Sequence, residues 1–207
     1  PGLVKLGYDI DDALDYTVAA CWEFIIPGKG ADIPNIETMD FPHIVSDVIT
    51  EKLEECDTFS ELLDYVKNAI QAECDRKIES RKSFKNPPLL LCSIYMDGCT
   101  NTLADMYNNG VKYTNFGCHG AGIANAADAL AAVKKAVYDD KTVDKKELLC
   151  ALSNNFEGYA KVRNILKSYP KMGNNDDYVD DIAIELMSEF ANAMNNRDNG
   201  CGGIWRA

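Results

Sequence analysis

Cys21 and Glu23, in the stretch Ala20-Cys21-Trp22-Glu23-Phe24, set a thiol and a carboxylate two positions apart. On an extended backbone, residues two apart point the same way, so both groups can face one small cavity: a radical or nucleophile beside a general base. The same five residues also read as packing, with Cys21 a small buried hydrophobe and Glu23 at a strand end, and alone they favour that plainer reading. His119 lies in Gly117-Cys118-His119-Gly120-Ala121-Gly122. A substrate contact through His119 competes there with an ordinary loop histidine. The glycines could present N–H groups to an anion, but the lysine and spacing of a phosphate-binding loop are missing, and close backbone packing explains them as well. His43 follows Pro42 and reads as a surface or helix-start residue. Eight cysteines and two histidines contain no Cys-x-x-Cys, so no metal site is expected. Asn174-Asn175-Asp176-Asp177 lacks the bidentate Glu and loop length of a calcium hand and reads as a helix start.

Thr17 to Ile26 is an apolar, partly β-branched run that stops at Pro27-Gly28-Lys29-Gly30, which predicts one buried extended segment ending in a tight turn. From Phe41 the period becomes helical, with Pro42 in the first turn and Ile44, Val45, Val48, Ile49 and Leu53 on one face. A second helix starts at Thr58 or Ser60, with Leu62, Leu63, Val66, Ile70 and Cys74 as its inward stripe. Arg76 to Lys85 reads as charged and exposed, and Pro87-Pro88 leads into Leu89 to Ile94, predicted as a buried strand. Gly117 to Gly122 is expected to be a flexible lead into an alanine-rich helix, Ile123 to Tyr138. Further helices are predicted from Asp144, paired with Glu147, to about Asn154, from Phe156 to Tyr169, and from Asp176 or Asp177 to about Asn196. Asp128 is expected to meet a loop N–H or solvent. Helices separated by a few buried extended runs predict an α/β barrel or layered sheet in one compact piece.

Composition narrows the partners. The chain has 207 residues, 46% hydrophobic and 26% charged, so a sizeable core can form. Against 33 acidic residues stand 21 Lys and Arg, a formal charge of -12. A phosphate backbone or an anionic membrane would be repelled, and no apolar run approaches the roughly 20 residues needed to span a bilayer. Cysteines scattered through a chain of this size fit free thiols in a reducing cytoplasm better than a disulfide framework. The start at Pro1-Gly2-Leu3, with neither Met nor a signal pattern, reads as an excerpt of a longer chain.

Four segments share an order with one family. They are Asp15-Tyr16-Thr17-Val18-Ala19-Ala20-Cys21-Trp22-Glu23 followed by Pro27-Gly28-Lys29; Gly117 to Leu130 continuing into Lys134-Lys135; Asn155 to Tyr159 with Tyr169 to Asp180; and Gly202-Gly203-Ile204-Trp205-Arg206-Ala207. Along nearly the whole chain the sequence resembles the glycyl radical enzymes of the pyruvate formate-lyase type. The resemblance implies an α/β fold: residues 1–207 as a single excerpt of a barrel built from two antiparallel halves of parallel strands, surrounded by helices. The cysteine loop would occupy 19–30, and the C-terminal glycyl radical domain would lie outside this chain, since no Arg-Val-small-Gly-Tyr loop occurs before Ala207. Gly7-Tyr8 and Gly158-Tyr159 do not match that loop.

By the same resemblance, Cys21 is the hydrogen-atom carrier and Glu23 the base. No cofactor is bound by this excerpt; the glycyl radical is stored in the missing segment and installed by an iron–sulfur S-adenosylmethionine activase. The implied partners are the remainder of the chain, that activase, a small-molecule substrate and a second copy in a homodimer. Ala20 replaces the first of the two adjacent cysteines of formate-lyases, which disfavours acyl transfer, and Glu23 is present as in dehydratases and decarboxylases. Trp22 and Phe24 depart from the family's smaller aliphatic residues and would alternate away from the Cys21 and Glu23 face. The leading expectation is a dehydratase or eliminase of a small polar substrate, the isolated excerpt being inactive. The alternatives are an arylacetate-type decarboxylase and a catalytically silent structural or binding module.

Overall fold

A computed structural model describes residues 1–19, 23–83 and 87–207. In chain order the elements are α1 (Gly2–Lys5), α2 (Ile10–Leu14), β1 (Thr17–Ala19), β2 (Glu23–Ile25), β3 (Ile33–Asp40), α3 (Phe41–Lys52), α4 (Phe59–Ser83), α5 (Leu90–Ser93), α6 (Cys99–Thr102), β4 (Phe116–Ala121), α7 (Ile123–Val133), α8 (Lys145–Ser153), α9 (Ala160–Ser168), α10 (Asp177–Met194) and β5 (Trp205–Arg206). They form two compact units: Pro1–Glu37, Lys77–His119 and Met194–Ala207 in the first, Thr38–Arg76 and Gly120–Ala193 in the second.

The first unit carries the start of a three-stranded sheet ordered β3-β4-β5. Strands β4 and β5 are parallel, with Phe116 opposite Trp205 and Gly117 opposite Arg206. Ahead of β3, the N–H of Ala31 donates to the Tyr113 carbonyl at 2.8 Å and that of Ile33 to Asn115 at 2.9 Å, stepping the same way along both chains as parallel strands do. Ile26, Ile78, Phe116 and Trp205 are fully buried. The Phe116 and Trp205 rings meet edge to face at 5.7 Å, and the Arg81 guanidinium lies 5.3 Å from the Phe116 centroid. A Cβ on Gly117 would fall on the Pro34 carbonyl, so glycine is what lets β3 and β4 approach here.

The second unit is helical. Asp40 caps α3 by accepting the His43 N–H at 3.1 Å, Pro42 sits in the first turn where no donor is needed, and Phe41, Val45, Val48 and Ile49 are buried. Thr58 and Glu61 close a reciprocal box at the start of α4, each side chain accepting the other's N–H at 3.3 and 3.1 Å. Alanines 126, 127 and 131 of α7 are buried around Leu130, and Phe41 meets Phe190 of α10 at 5.6 Å, edge to face. Asp144 caps α8 through the N–H groups of Lys146 and Glu147, and the Asp128 carboxylate accepts the Met172 N–H at 2.7 Å.

Several sequence expectations are corrected. The run Thr17 to Ile26 is not one buried strand: β1 and β2 pair antiparallel, and Thr17, Val18 and Phe24 are exposed. The charged stretch after Arg76 continues α4 to Ser83 because Ile78 prolongs the buried stripe one turn further. Leu89 to Ile94 is no buried strand; it contains the short helix α5, with Leu90 70% and Leu91 80% exposed. An apolar run fixes neither the period nor the burial when turn geometry takes over, and here Asp105 accepts the Leu89 N–H and the Ser93 hydroxyl, closing the turn. Gly117 to Gly122 is no flexible lead: 116–121 is strand β4. Its glycines meet close neighbours, and Gly122 takes φ +71° beside Pro42. The helix predicted from Phe156 starts at Ala160, since Asn155, Phe156 and Gly158 hold positive φ. The alanine-rich helix ends as α-helix at Val133 and widens into a π-helical stretch over Lys134–Asp139. No described helix is long and apolar enough to cross a membrane, and no cluster of three metal-binding side chains occurs among the described residues.

Candidate active site

The residues on either side of the cysteine motif pair as a two-stranded antiparallel sheet, β1 with β2, called here the hairpin. Its ladder pairs Thr17 with Ile25, Val18 with Phe24 and Ala19 with Glu23. Cys21, with Ala20 and Trp22, lies outside the described residues. The shared face expected for Cys21 and Glu23 therefore also falls outside the described residues. Glu23 itself is half-buried at the start of β2. On the strand face, the Phe24 ring meets Tyr16 edge to face at 5.3 Å.

The hairpin leads into the turn Pro27 to Gly30, which is tied on every side. The N–H of Gly30 returns to the Ile26 carbonyl at 2.9 Å, the Gly28 carbonyl accepts the Asp97 N–H, and the Lys29 carbonyl accepts the Tyr113 N–H at 3.1 Å. Gly28 holds φ +72°, which a Cβ would disfavour. Beneath the turn the Asp12 carboxylate is 3% exposed and accepts three donors. They are the Lys29 ammonium at 2.6 Å, the Lys112 ammonium at 2.6 Å and the Tyr113 hydroxyl at 2.8 Å. Hydrogen bonds from Lys112, then Lys29, then Tyr113 hold the Asp12 carboxyl well below the usual carboxylate range, and the Lys112 ammonium is raised in turn by Asp12. The Tyr113 hydroxyl also accepts the Asp9 N–H at 2.9 Å.

Beside the hairpin a cavity of about 250 Å³ is lined by Phe24, Asp32, Asn115, His119 and Arg206 with Tyr8. The Tyr8 hydroxyl donates to Asp32 and accepts from the Asn115 amide at 3.1 Å, while the other Asp32 oxygen accepts the Asn115 backbone N–H. Burial pushes the Asp32 carboxyl up, with the Tyr8 and Asn115 hydrogen bonds working against the rise. Burial, then the hydrogen bond to Asp32, raises the Tyr8 phenol above its ordinary value. Arg206 donates from Nη2 to the Leu6 carbonyl at 2.7 Å, and its Nε is buried with no hydrogen-bond partner among the described residues. A donor pair of Arg206 and His119 at one apolar-walled cavity can orient a polar molecule.

His119, exposed on β4, therefore lines this cavity with Asp32 and Arg206. Glu23 does not line it: Phe24 does, and neighbours on a strand point to opposite faces. His43 stands at the start of α3 with its side chain 74% exposed, 3.4 Å from Asp47. Sequence reasoning missed Asp12, Lys112, Tyr113, Tyr8, Asp32 and Arg206. Only Lys29, inside the Pro-Gly-Lys turn, carried a local signal; Asp12 and Tyr113 are 101 residues apart.

A family model described as pyruvate formate lyase-like matches residues 1–207. The trans-4-hydroxy-L-proline dehydratase of Clostridioides difficile is 31% identical, the alignment covering 99% of this chain and 28% of that protein. A crystal structure of that species' hydroxyproline dehydratase with trans-4-hydroxy-L-proline bound superposes with a TM-score of 0.87 at 30% identity, covering 99% of this chain and 28% of that one. The glycerol-bound B12-independent glycerol dehydratase from Clostridium butyricum gives 0.85 at 27% identity, again covering 99% and 28%. The chain thus spans little more than a quarter of the proteins it matches.

Proposed function

Because the chain belongs to the pyruvate formate lyase-like family, we propose that it forms the cysteine-bearing part of a glycyl radical lyase, a dehydratase or related eliminase of a small polar substrate. The observation that carries this reading is the likeness to dehydratases over 99% of the chain. The hairpin adds support, since paired strands flank Cys21 in sequence and a tied-down turn follows them. The glycyl radical, installed by an iron–sulfur S-adenosylmethionine activase, supplies the unpaired electron.

This chain's residues do the rest. The Cys21 S–H bond would break with its hydrogen atom passing to the radical-bearing glycine in the remainder of the polypeptide, and the sulfur then takes a hydrogen atom from a substrate carbon that bears a hydroxyl. Glu23 accepts the proton of that hydroxyl, which drives out the group on the neighbouring carbon. When that group is hydroxide, the proton held by Glu23 departs with it as water. The product radical recovers a hydrogen atom from Cys21, which closes the cycle. The working protein joins this chain to the remainder of its own polypeptide, acts in the cytoplasm, pairs as a homodimer and is served by the activase.

The test uses the whole protein, activated without oxygen. Cys21→Ser should keep the glycyl signal in electron spin resonance and lose turnover, because an O–H bond is too strong to exchange hydrogen readily. Product analysis then fixes the class: a carbonyl compound with released water, amine or sulfite marks elimination, and carbon dioxide marks a decarboxylase. Turnover persisting in Cys21→Ser defeats the reading.

A further inference from the structure

The second unit holds an apolar groove that the proposed chemistry does not use. Its walls come from α7, α8 and α9, with Ala129, Ala132, Leu148, Leu152 and Leu166 on its surface and a volume of about 310 Å³. A smaller cavity of about 160 Å³ shares Ile49, Ala129 and Leu152 with it, so the space continues along α7 toward α3. The groove exists because α9 packs thinly. Of its nine residues only Val162 is buried, and the two alanines opposite leave room that larger side chains would fill. Phe156 also lines the groove from a turn in which Asn155 and Phe156 both hold positive φ, at 48° and 62°. Two consecutive non-glycine residues in that region are strained, so the turn that presents this ring is kept at a cost.

The rim carries the opposite sign to the molecule as a whole. In a chain of net charge -12, Arg163 and Lys167 stand one turn apart on α9 at the groove. Neither makes an ion pair among the described residues. The other two charged residues lining the groove are already engaged. Lys171 donates to the carbonyls of Leu166, Tyr169 and Pro170, and the Asp128 carboxylate accepts the Met172 N–H at 2.7 Å. An apolar trough that ends at two unengaged cations complements one chemistry: an apolar tail with an anionic head.

We infer that this groove is a binding site for a small amphipathic carboxylate, its tail lying along Ala129, Ala132 and Leu152 and its head between Arg163 and Lys167. The volume, at the lower end of the roughly 300–1,000 Å³ typical of ligand sites, limits the tail to a short aliphatic chain or a single ring. Both cations are exposed, so they select the head group and contribute modestly to affinity.

Titration calorimetry on the whole, unactivated protein with octanoate tests this, with octanol as the head-group control. One octanoate should bind per chain, and octanol about ten-fold more weakly, since two exposed charges together contribute about that factor. The double variant Arg163→Gln, Lys167→Gln should bring octanoate down to the level of octanol, and Ala129→Trp, which fills the trough, should abolish binding of both. Circular dichroism checks that each variant is folded; the Gln pair lies on an exposed face and keeps the test decisive if the Trp variant is not. Equal binding of octanol and octanoate overturns the assignment, as does octanoate binding that survives both variants. Absence of binding, with the groove protected from deuterium exchange by another segment of the assembled protein, overturns it equally.

Discussion

At the scale of single residues, the two carboxylates around the hairpin should respond to pH with opposite signs. Asp12 sits among Lys112, Lys29 and Tyr113 and is held below the carboxylate range, so its contribution to stability is complete above an unfolded-state value of about 3.9. It is lost as pH falls from there through the lower folded value. The melting temperature of Asp12→Asn should therefore lie below that of the parent by a constant amount from neutral pH down to about pH 4, and the gap should close in stronger acid. A gap that widened in acid would mean the carboxylate is not held by those donors. Asp32 is shifted upward by burial, so the folded state binds its proton more tightly and stability falls as pH rises through the carboxylate range. Glu23→Gln belongs to the same scale: turnover of the activated whole protein should fall roughly 10²- to 10⁴-fold, the range for a lost general base, with the glycyl signal retained. Near-normal turnover would leave Cys21 working with another base. Trp205 gives a further residue-level expectation, because its indole Nε1 is buried with no hydrogen-bond partner among the described residues. Trp205→Phe removes that orphan donor along with some volume, so in urea it should cost under about 1.5 kcal/mol, less than the roughly 3–5 kcal/mol of a Trp→Ala truncation.

At the scale of elements, the sharpest constraint is the contact of β4 with β3. Gly117→Ala would set a methyl group on the Pro34 carbonyl and should cost about 1–3 kcal/mol in urea unfolding, whereas Gly173→Ala, with no atom nearby, meets only backbone strain at φ +90°. Equal stability of Gly117→Ala and the parent would show that the strands part easily. This contact also explains what the sequence concealed. The helices α3, α4 and α8 were legible because Pro42, Thr58 and Asp144 with Glu147 are local start signals followed by a 3.6-residue stripe. The glycines of β4 have no periodic side chains to betray a strand; their reason is the Pro34 backbone and the Phe41 ring, distant in sequence. Leu89 to Ile94 misled in the other direction, its apolar letters implying burial while Asp105 and Ser93 fold it as an exposed turn of helix. In the candidate site, the cysteine motif, Glu23 and His119 stood out by residue type and resemblance. The Asp12 cluster and the Tyr8–Asp32–Asn115 set could not, since each is assembled from segments at least 17 residues apart.

At the scale of the molecule, the chain covers 28% of the dehydratases it resembles and contains no Arg-Val-small-Gly-Tyr loop. The 207-residue chain alone, incubated anaerobically with a radical S-adenosylmethionine activase and candidate substrates, should give neither a glycyl signal nor product. Product formed by this chain alone would overturn the division of roles between the cysteine and the radical store. The two compact units each have an aromatic pair at the core, Phe116 with Trp205 in one and Phe41 with Phe190 in the other.

The Asp12 cluster carries a consequence for biosynthesis. Its donors follow Asp12 by 17, 100 and 101 residues. On the ribosome, Lys29 emerges early, but Lys112 and Tyr113 follow only after Thr38–Arg76, which belongs to the other unit. Closing so long a loop is slow as well as late, so on the nascent chain Asp12 is held by Lys29 alone until residues 112 and 113 have emerged and docked.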